Sequence, residues 1–501
     1  MAMLSLCLKG DFSNSKRGRA GAAGVAMLFN VGILHAQELP LDDLLAGNPL
    51  VDTVDAPVEE EVEDTRFTLP DEAEPESAQR FLFDLREELR YSDNPDLDLN
   101  EDAESVLIAR TTALLGYARR TSVDAFDLQL GADLDLRTDG DSGIERPTFD
   151  LNWIRDVGNT NFGLSFGYSE VDLGSDTGTF FNEDTGSIDF GTIDSGTRQT
   201  TDYAVNGGFG LERPFGGNYL LSHRQIKYSD TEDPSLLDAD RFIADGDIFF
   251  VITPRITLGL EGEHSDFDED GEGSIDTTSN YFGTFADSQI NSRLTGRFNL
   301  GWQRVEDTGA VNRTEDGVVF GAELDQETSR GSNFLNIGSI ITSAGRENEL
   351  RLGQSIEQLT RRFEYSVGLV DAEDSDIEPL FGLNWTEELP RGAFNVSLEQ
   401  TPFTDRDTGT QINTLFTFRY DQDLNTRSGF SIELRYLDVN ELNSEEADTQ
   451  RLDLDLTYRY AVTEDWDITS GISFVRAKED GAGDRDSDTI FVGLERRFVW
   501  N

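Results

Sequence analysis

The sharpest local grouping of chemically competent residues is Asp266-Phe-Asp268-Glu-Asp270-Gly271. Oxygen ligands at the first, third and fifth positions before a turn-making glycine match the opening of a Ca²⁺ loop. The twelfth position, where a bidentate Glu would complete such a site, is Thr277, so Glu272 or Asp276 would have to substitute. A solvated acidic loop is the plainer reading of the same residues. Ca²⁺ is the single cofactor the sequence suggests. Nucleophilic or acid–base catalysis would need histidine, and beyond the N-terminal region there are His223 and His264. Neither lies in a lipase- or protease-like motif, and in Ser222-His223 a strand would point the two side chains to opposite faces. Both read as polar wall or rim residues, and no catalytic residue is assigned.

A second set of charges shares a spacing instead of a motif. Asp127, Asp133, Asp135, Arg137, Asp245, Asp247, Arg293, Arg297, Arg419, Glu433, Arg435, Asp453, Asp455 and Arg459 all alternate with apolar residues. Phe126, Leu128, Leu130, Ala132, Leu134 and Leu136 interleave with Asp127, Gln129, Asp133 and Asp135; Leu452, Leu454, Leu456, Tyr458 and Tyr460 interleave with Asp453, Asp455 and Arg459. Period two is the period of a strand, so each segment carries one apolar and one charged face. The same pattern runs from Phe81 to the C-terminus, with Ile290, Leu294, Gly296, Phe298, Leu300 and Trp302 read as one register.

The breaks between segments take turns. Short ones carry tight-turn chemistry, as in Arg213-Pro-Phe-Gly-Gly217 and Pro390-Arg-Gly392, and long ones are acidic and rich in Gly, Ser and Thr, as in Asp172–Thr197 and Asp438–Thr449. Brief turns on one side and larger loops on the other mark a transmembrane barrel. The predicted fold is therefore all-β: a transmembrane antiparallel up-and-down β-barrel of about 22 strands (a range of 16–22), even in number with both ends on the periplasmic side. A soluble sheet with one wet face shows the same alternation. Against it stand apolar registers without charge and the placing of Trp153, Trp302, Trp385, Trp466 and Trp500 near strand ends, as an interfacial girdle requires.

Composition fits. The formal net charge is −57, from 98 Asp+Glu against 41 Lys+Arg, which excludes a nucleic-acid partner for want of a basic stripe. With 33 Phe, 12 Tyr and 5 Trp the chain is too aromatic for a disordered one. A mean hydropathy of −0.45 and the lack of a long apolar run exclude helical spans but not barrel strands. Residues 1–36 read as a signal peptide for the general secretory route: Lys16, Arg17 and Arg19 precede the apolar stretch Ala20–Leu34, with cleavage after Ala36. The one cysteine, Cys7, would leave with it, as would Met1, Met3 and Met27. Residues 37–78 read as a disordered acidic periplasmic tail, too short for the folded plug of a large transporter barrel, and 79–501 as the barrel.

The final segment, Ile490-Phe-Val-Gly493-Leu-Glu-Arg496-Arg-Phe498-Val-Trp-Asn501, resembles the C-terminal strand of bacterial outer-membrane proteins, with Arg496 at a position usually hydrophobic. At the other end Phe83-Asp-Leu-Arg-Glu-Glu-Leu-Arg-Tyr91-Ser-Asp93-Asn94 is similar to the opening strand of the outer-membrane β-barrel porin family of Gram-negative bacteria, whose members share an early Tyr-x-Asp-Asn element. The resemblance covers residues 80–501. It implies a barrel in the cell outer membrane with porin-like or export-associated activity, and it offers no catalytic residues. The implied partners are the lipid bilayer and the barrel-assembly machinery, the latter through the C-terminal strand.

If the apolar register faces lipid, the charged one lines the interior, and a wide barrel with charges of both signs is a wet channel. The expected function is a passive, weakly cation-preferring porin for small polar solutes. An export-associated or structural barrel without an open pore, and less readily an outer-membrane hydrolase, stay open beside it. Oligomeric state is unreadable, because lipid-facing and subunit-facing apolar strands look alike. Most of the acid falls in the tail and long loops, which points to divalent cations or hydration at the cell surface as its use.

Overall fold

The computed structural model describes residues 77–500 apart from short stretches of the connections (96, 98–99, 101–102, 141, 173–178, 182–187, 191–195, 212, 230, 232–236, 272–273, 311, 374–376, 406–408, 442–448, 464 and 480–482). The expected signal peptide and nearly all of the acidic tail lie outside the described residues. The strands are β1 (Ser77–Ser92), β2 (Val106–Thr121), β3 (Asp124–Arg137), β4 (Gly143–Val157), β5 (Thr160–Asp172), β6 (Thr179–Phe181), β7 (Ile188–Phe190), β8 (Thr197–Phe209), β9 (Phe215–Ser229), β10 (Asp238–Thr253), β11 (Ile256–Asp270) and β12 (Ile275–Asn291). They continue with β13 (Leu294–Gly309), β14 (Arg313–Thr328), β15 (Gly331–Thr342), β16 (Gly345–Gln358), β17 (Arg361–Ala372), β18 (Glu378–Leu389), β19 (Gly392–Asp405), β20 (Gly409–Asn425), β21 (Ser428–Glu441), β22 (Thr449–Ala461), β23 (Trp466–Glu479) and β24 (Gly483–Trp500).

Apart from the β6–β7 hairpin, which stands in the connection after β5, the strands form one 22-stranded sheet. Each pairs antiparallel with its neighbours in sequence, and β1 pairs with β24 from Phe81↔Trp500 to Ser92↔Thr489. That pairing closes the sheet and leaves no free edge. The C-terminal pattern explains itself at this seam. Gly493 faces inward, where an added Cβ would stand 2.9 Å from Thr469 Oγ1. Arg496 faces outward at the rim, with its guanidinium 4.3 Å from the Phe498 ring centroid and 5.1 Å from that of Trp466. A long side chain there lays its charge on aromatic faces at the membrane boundary, which is how a cation occupies a position otherwise apolar.

Burial is inverted relative to a water-soluble sheet. Leu300 and Phe282 are 57% and 65% exposed, whereas Asp135 and Arg451 are 3% and 2% exposed. The outer surface is the apolar one, so the barrel presents the face that lipid requires. Rings collect where the short turns lie: Phe81 packs on Tyr117 at 4.6 Å between centroids, Phe215 on Phe250 at 5.0 Å, and Trp385 on Phe394 at 4.8 Å. This girdle and the short turns mark the periplasmic end, where β1 begins and β24 finishes.

Two sequence expectations are corrected. Ile290 and Leu294 do not share a strand, because β12 ends at Asn291 and a tight turn, in which Asn291 Oδ1 accepts the Arg293 amide at 2.9 Å, precedes β13. Trp302 lies in the middle of β13, not near its end, because the strand runs on above the membrane to Gly309.

Candidate functional site

The interior wall is the candidate site, and the strand registers settle which residues line it. On β1–β3, Glu88, Arg110 and Asp135 stand in one row across three strands. Arg110 donates from Nε and a terminal nitrogen to the two Asp135 oxygens at 2.7 and 2.6 Å, and Asp133 is held by Arg146 at 2.5 Å. Arg120 binds Asp127 at 2.7 Å and Arg137 binds Asp139 at 2.8 Å. Further round, Arg419 pairs with Asp421 at 2.9 Å, Arg435 with Glu433, and Arg451 with Asp453 at 3.0 Å. Asp455 and Arg459 share the inward register of β22, Arg459 near its periplasmic end. From β21 round to β4, therefore, the wall is built of neighbouring opposite charges.

The wall from β10 to β14 is different. Asp245 stands opposite Glu263, Asp247 opposite Glu261, and Arg297 opposite both Asp287 and Glu323, with Asp325 one inward position below. Arg297 is the cation in their midst, 3.1 Å from Glu261 and 3.4 Å from Asp287, with its guanidinium 4.3 Å from the centre of the Phe285 ring. Asn218 donates to Asp247 at 3.0 Å. In a 22-strand ring the strands eleven places from β11–β13 are β22–β24, so the acid wall faces a charge-paired one. A transverse field directed this way draws cations to one side of the lumen.

The extracellular mouth is narrowed from within. β14 pairs with β15 only from Thr328↔Gly331 to Phe320↔Ser339, although β14 itself continues to Arg313 on the β13 side. The freed tip of the β15–β16 hairpin leans over the inner faces of β12–β14. Ile341 packs with Tyr281, Val305 and Val319, its amide donates to Gln303 Oε1 at 3.0 Å, and the Ser343 hydroxyl donates to Asp307 at 3.3 Å. Thr277 donates to the same carboxylate at 2.8 Å. A buried polar group is expensive unless bonded, so these partners fix the tip in place. Across the barrel, Leu97 of the β1–β2 connection packs on Val475 and Ala477 of β23. The Asp93-Asn94 element has a structural role here: Asp93 accepts the Asp488 amide at 2.7 Å and Asn94 donates to the Asp486 carbonyl at 3.0 Å, clasping the closing seam.

Of the expected lining residues, Arg293 lies in the β12–β13 turn, at the rim, and does not line the wall. Asp266, Asp268 and Asp270 are not in a loop: β11 continues to Asp270, and the three alternate along one outward edge. Successive carboxylates on one strand face stand roughly 6.6 Å apart, too far to converge on one ion. No grouping of metal-binding type occurs among the described residues. At this extracellular rim, burial and then the carboxylates of Asp266, Asp276, Asp240 and Asp270 push the Asp268 carboxyl above its usual range. His223 and His264 also face outward, against Asp240 at 3.5 Å and Asn280 at 2.9 Å. Glu261, Glu263, Asp287, Glu323, Asp325 and Arg110 were missed as lining residues. Alternation with Leu258 and Leu260 would have found Glu261 and Glu263.

No family model and no curated protein matches the sequence, so the porin family itself gains no support from a match. Solved structures do resemble it in fold. The ferric-catecholate import receptor Fiu from E. coli K12 aligns over 83% of this chain and 81% of that one, at 12% identity and a TM-score of 0.54. The FrpB iron transporter from Neisseria meningitidis aligns over the same shares at 7% identity and a TM-score of 0.54. At such identity the likeness is one of architecture. The chain is a closed 22-stranded antiparallel barrel of the outer-membrane type.

Proposed function

We propose that this barrel is a porin-like passive channel for small polar solutes, with a preference for cations set by the wall of β10–β14. The observation that carries the reading is the row Asp245, Asp247, Glu261 and Glu263 on adjacent strands, whose four carboxylates outnumber the neighbouring cations Arg297 and Arg241, opposite a wall whose charges are paired. A wide barrel holds water, and fixed charge on one side of a wet passage raises the local concentration of counter-ions. The folded-in β15–β16 tip sets the size limit, since its contacts hold it over the lumen. Insertion by machinery that reads the C-terminal strand belongs to the same proposal, with Phe498 and Trp500 stacked on the outer face at 5.9 Å.

The fold neighbours are named for ferric-catecholate import and iron transport. A ferric catecholate complex is anionic, and the acid wall of this lumen opposes it, which favours the small-cation reading. Swelling of vesicles carrying the purified barrel tests the proposal. The expected order of entry is a cationic amino acid first, a neutral sugar of equal size next and an anionic amino acid last. Vesicles that do not swell in any of the three contradict it.

A further inference from the structure

On the lipid-facing register of β1, the series Phe81, Phe83, Leu85, Leu89 and Tyr91 is interrupted by one carboxylate, Glu87. Its neighbours fix its direction. Glu87 stands opposite Thr111 of β2 and Leu494 of β24, and Leu494 is among the exposed apolar residues of the outer surface. The flanking Arg86 and Glu88 point the other way, where they pair with each other. Glu87 is exposed, and the Thr111 hydroxyl donates to it at 2.9 Å.

Depth makes this residue unusual. Phe81 belongs to the periplasmic girdle, packed on Tyr117. A tilted strand climbs about 2.5 Å per residue, which puts Glu87 about 15 Å above Phe81 and about 10 Å below Tyr91, near the middle of an apolar band about 25 Å tall. Other outward-facing charges, such as Arg119, Arg304 and Arg496, lie toward strand ends. An ionisable group at the middle of the bilayer is costly against lipid and persists where a partner covers it.

We propose that the β1–β2 face is an interface with a second copy of this chain, in which the Glu87–Thr111 pairs of the two copies meet across a twofold axis normal to the membrane. Rotation about that normal carries every residue to the same depth in the partner. A twofold contact returns the same patch to itself, so polar meets polar at that depth. At that depth β12 offers the uncharged Thr284, and β13 and β16 offer the apolar Phe298 and Leu352. Ala109 and Ala113, on either side of Thr111 in the outward register of β2, let the two surfaces approach closely. In the contact each carboxyl group accepts from a threonine hydroxyl, as it does within one copy.

The purified wild-type barrel in nanodiscs or mild detergent is expected to be dimeric. Glu87→Leu, which lipid tolerates, keeps heat-modifiable gel migration and dissociates at roughly tenfold or more higher concentration, the loss of about one membrane hydrogen-bonded contact. Glu87→Gln, whose amides pair across the axis, stays dimeric. In a Cys7→Ser chain, Ala113→Cys cross-links to itself in membranes before extraction, and Ala286→Cys on β12 does not. A monomeric wild type, as an interface with some other protein would give, overturns the proposal. So does a Glu87→Leu barrel as dimeric as wild type, or cross-linking at Ala286→Cys but not at Ala113→Cys.

Discussion

Replacing Arg110 by methionine tests whether the interior ion pairs act as buried or as solvated ones. Arg110 is 6% exposed and makes a two-pronged contact with Asp135, itself 3% exposed, at 2.7 and 2.6 Å. Asp133 keeps a second cation in Arg146, but the cation bound to Asp135 is Arg110. If the pair were wet, as most exposed pairs are, the loss would be about 0–1 kcal/mol. Removing one partner of a buried pair leaves an uncompensated charge and costs about 3–5 kcal/mol. The accessibility of both groups favours the second figure. Arg110→Met/Asp135→Leu together is expected to regain most of that loss, since well-packed apolar residues replace buried pairs at little net cost. Urea-driven unfolding of the barrel in lipid vesicles, followed by the heat-modifiable gel shift, reads all three variants. A loss below about 1 kcal/mol for Arg110→Met, or a double variant as unstable as the single one, would show that lumen water screens the pair and refute the reasoning.

Three other outcomes follow from the same geometry. Deleting residues 340–344 and joining the strands by a two-glycine turn removes the folded-in tip, and single-channel conductance should rise; unchanged conductance would mean that the tip does not narrow the path. Arg496→Glu places like charge beside Asp465 and removes the cation from the Trp466 and Phe498 rings, so the unfolding midpoint should fall by about 1 kcal/mol equivalent or less, as read by tryptophan fluorescence. Because burial and neighbouring carboxylates raise the Asp268 carboxyl, the folded rim binds protons that the unfolded chain does not. Its stability should therefore rise as pH falls through that group's range, and Asp268→Asn should flatten the dependence in hydrogen-exchange measurements on the β11–β12 hairpin.

The strand framework was legible because lipid demands a strict alternation: the alternating segments Phe126–Leu136 and Leu452–Tyr460 fall within β3 and β22. The closed even count was legible from the alternation of short and long breaks. What lay above the membrane was not. There strands continue in polar sequence, so Asp266–Gly271 read as a loop although β11 reaches Asp270. The Asn291-Ser-Arg293 turn was missed for want of Gly or Pro, its bend being made by an Asn side chain. The acid wall was half legible: Asp245 and Asp247 were taken as lining, but their counterparts Glu261 and Glu263 become partners only once β10 and β11 are in register. The inward lean of the β15–β16 tip left no sequence signal, because Ile341 reaches Val319 through a break in pairing and not through strand periodicity.

The claim that matters most is an open lumen whose acid wall selects for cations, and the reversal potential of single channels in a planar bilayer under a potassium chloride gradient tests it most directly. Wild-type barrels should conduct without applied ligand and reverse on the potassium side of zero, and Asp245→Asn/Glu263→Gln should move that potential toward zero. A purified, folded barrel that passes no current, or one that reverses on the chloride side, would contradict it.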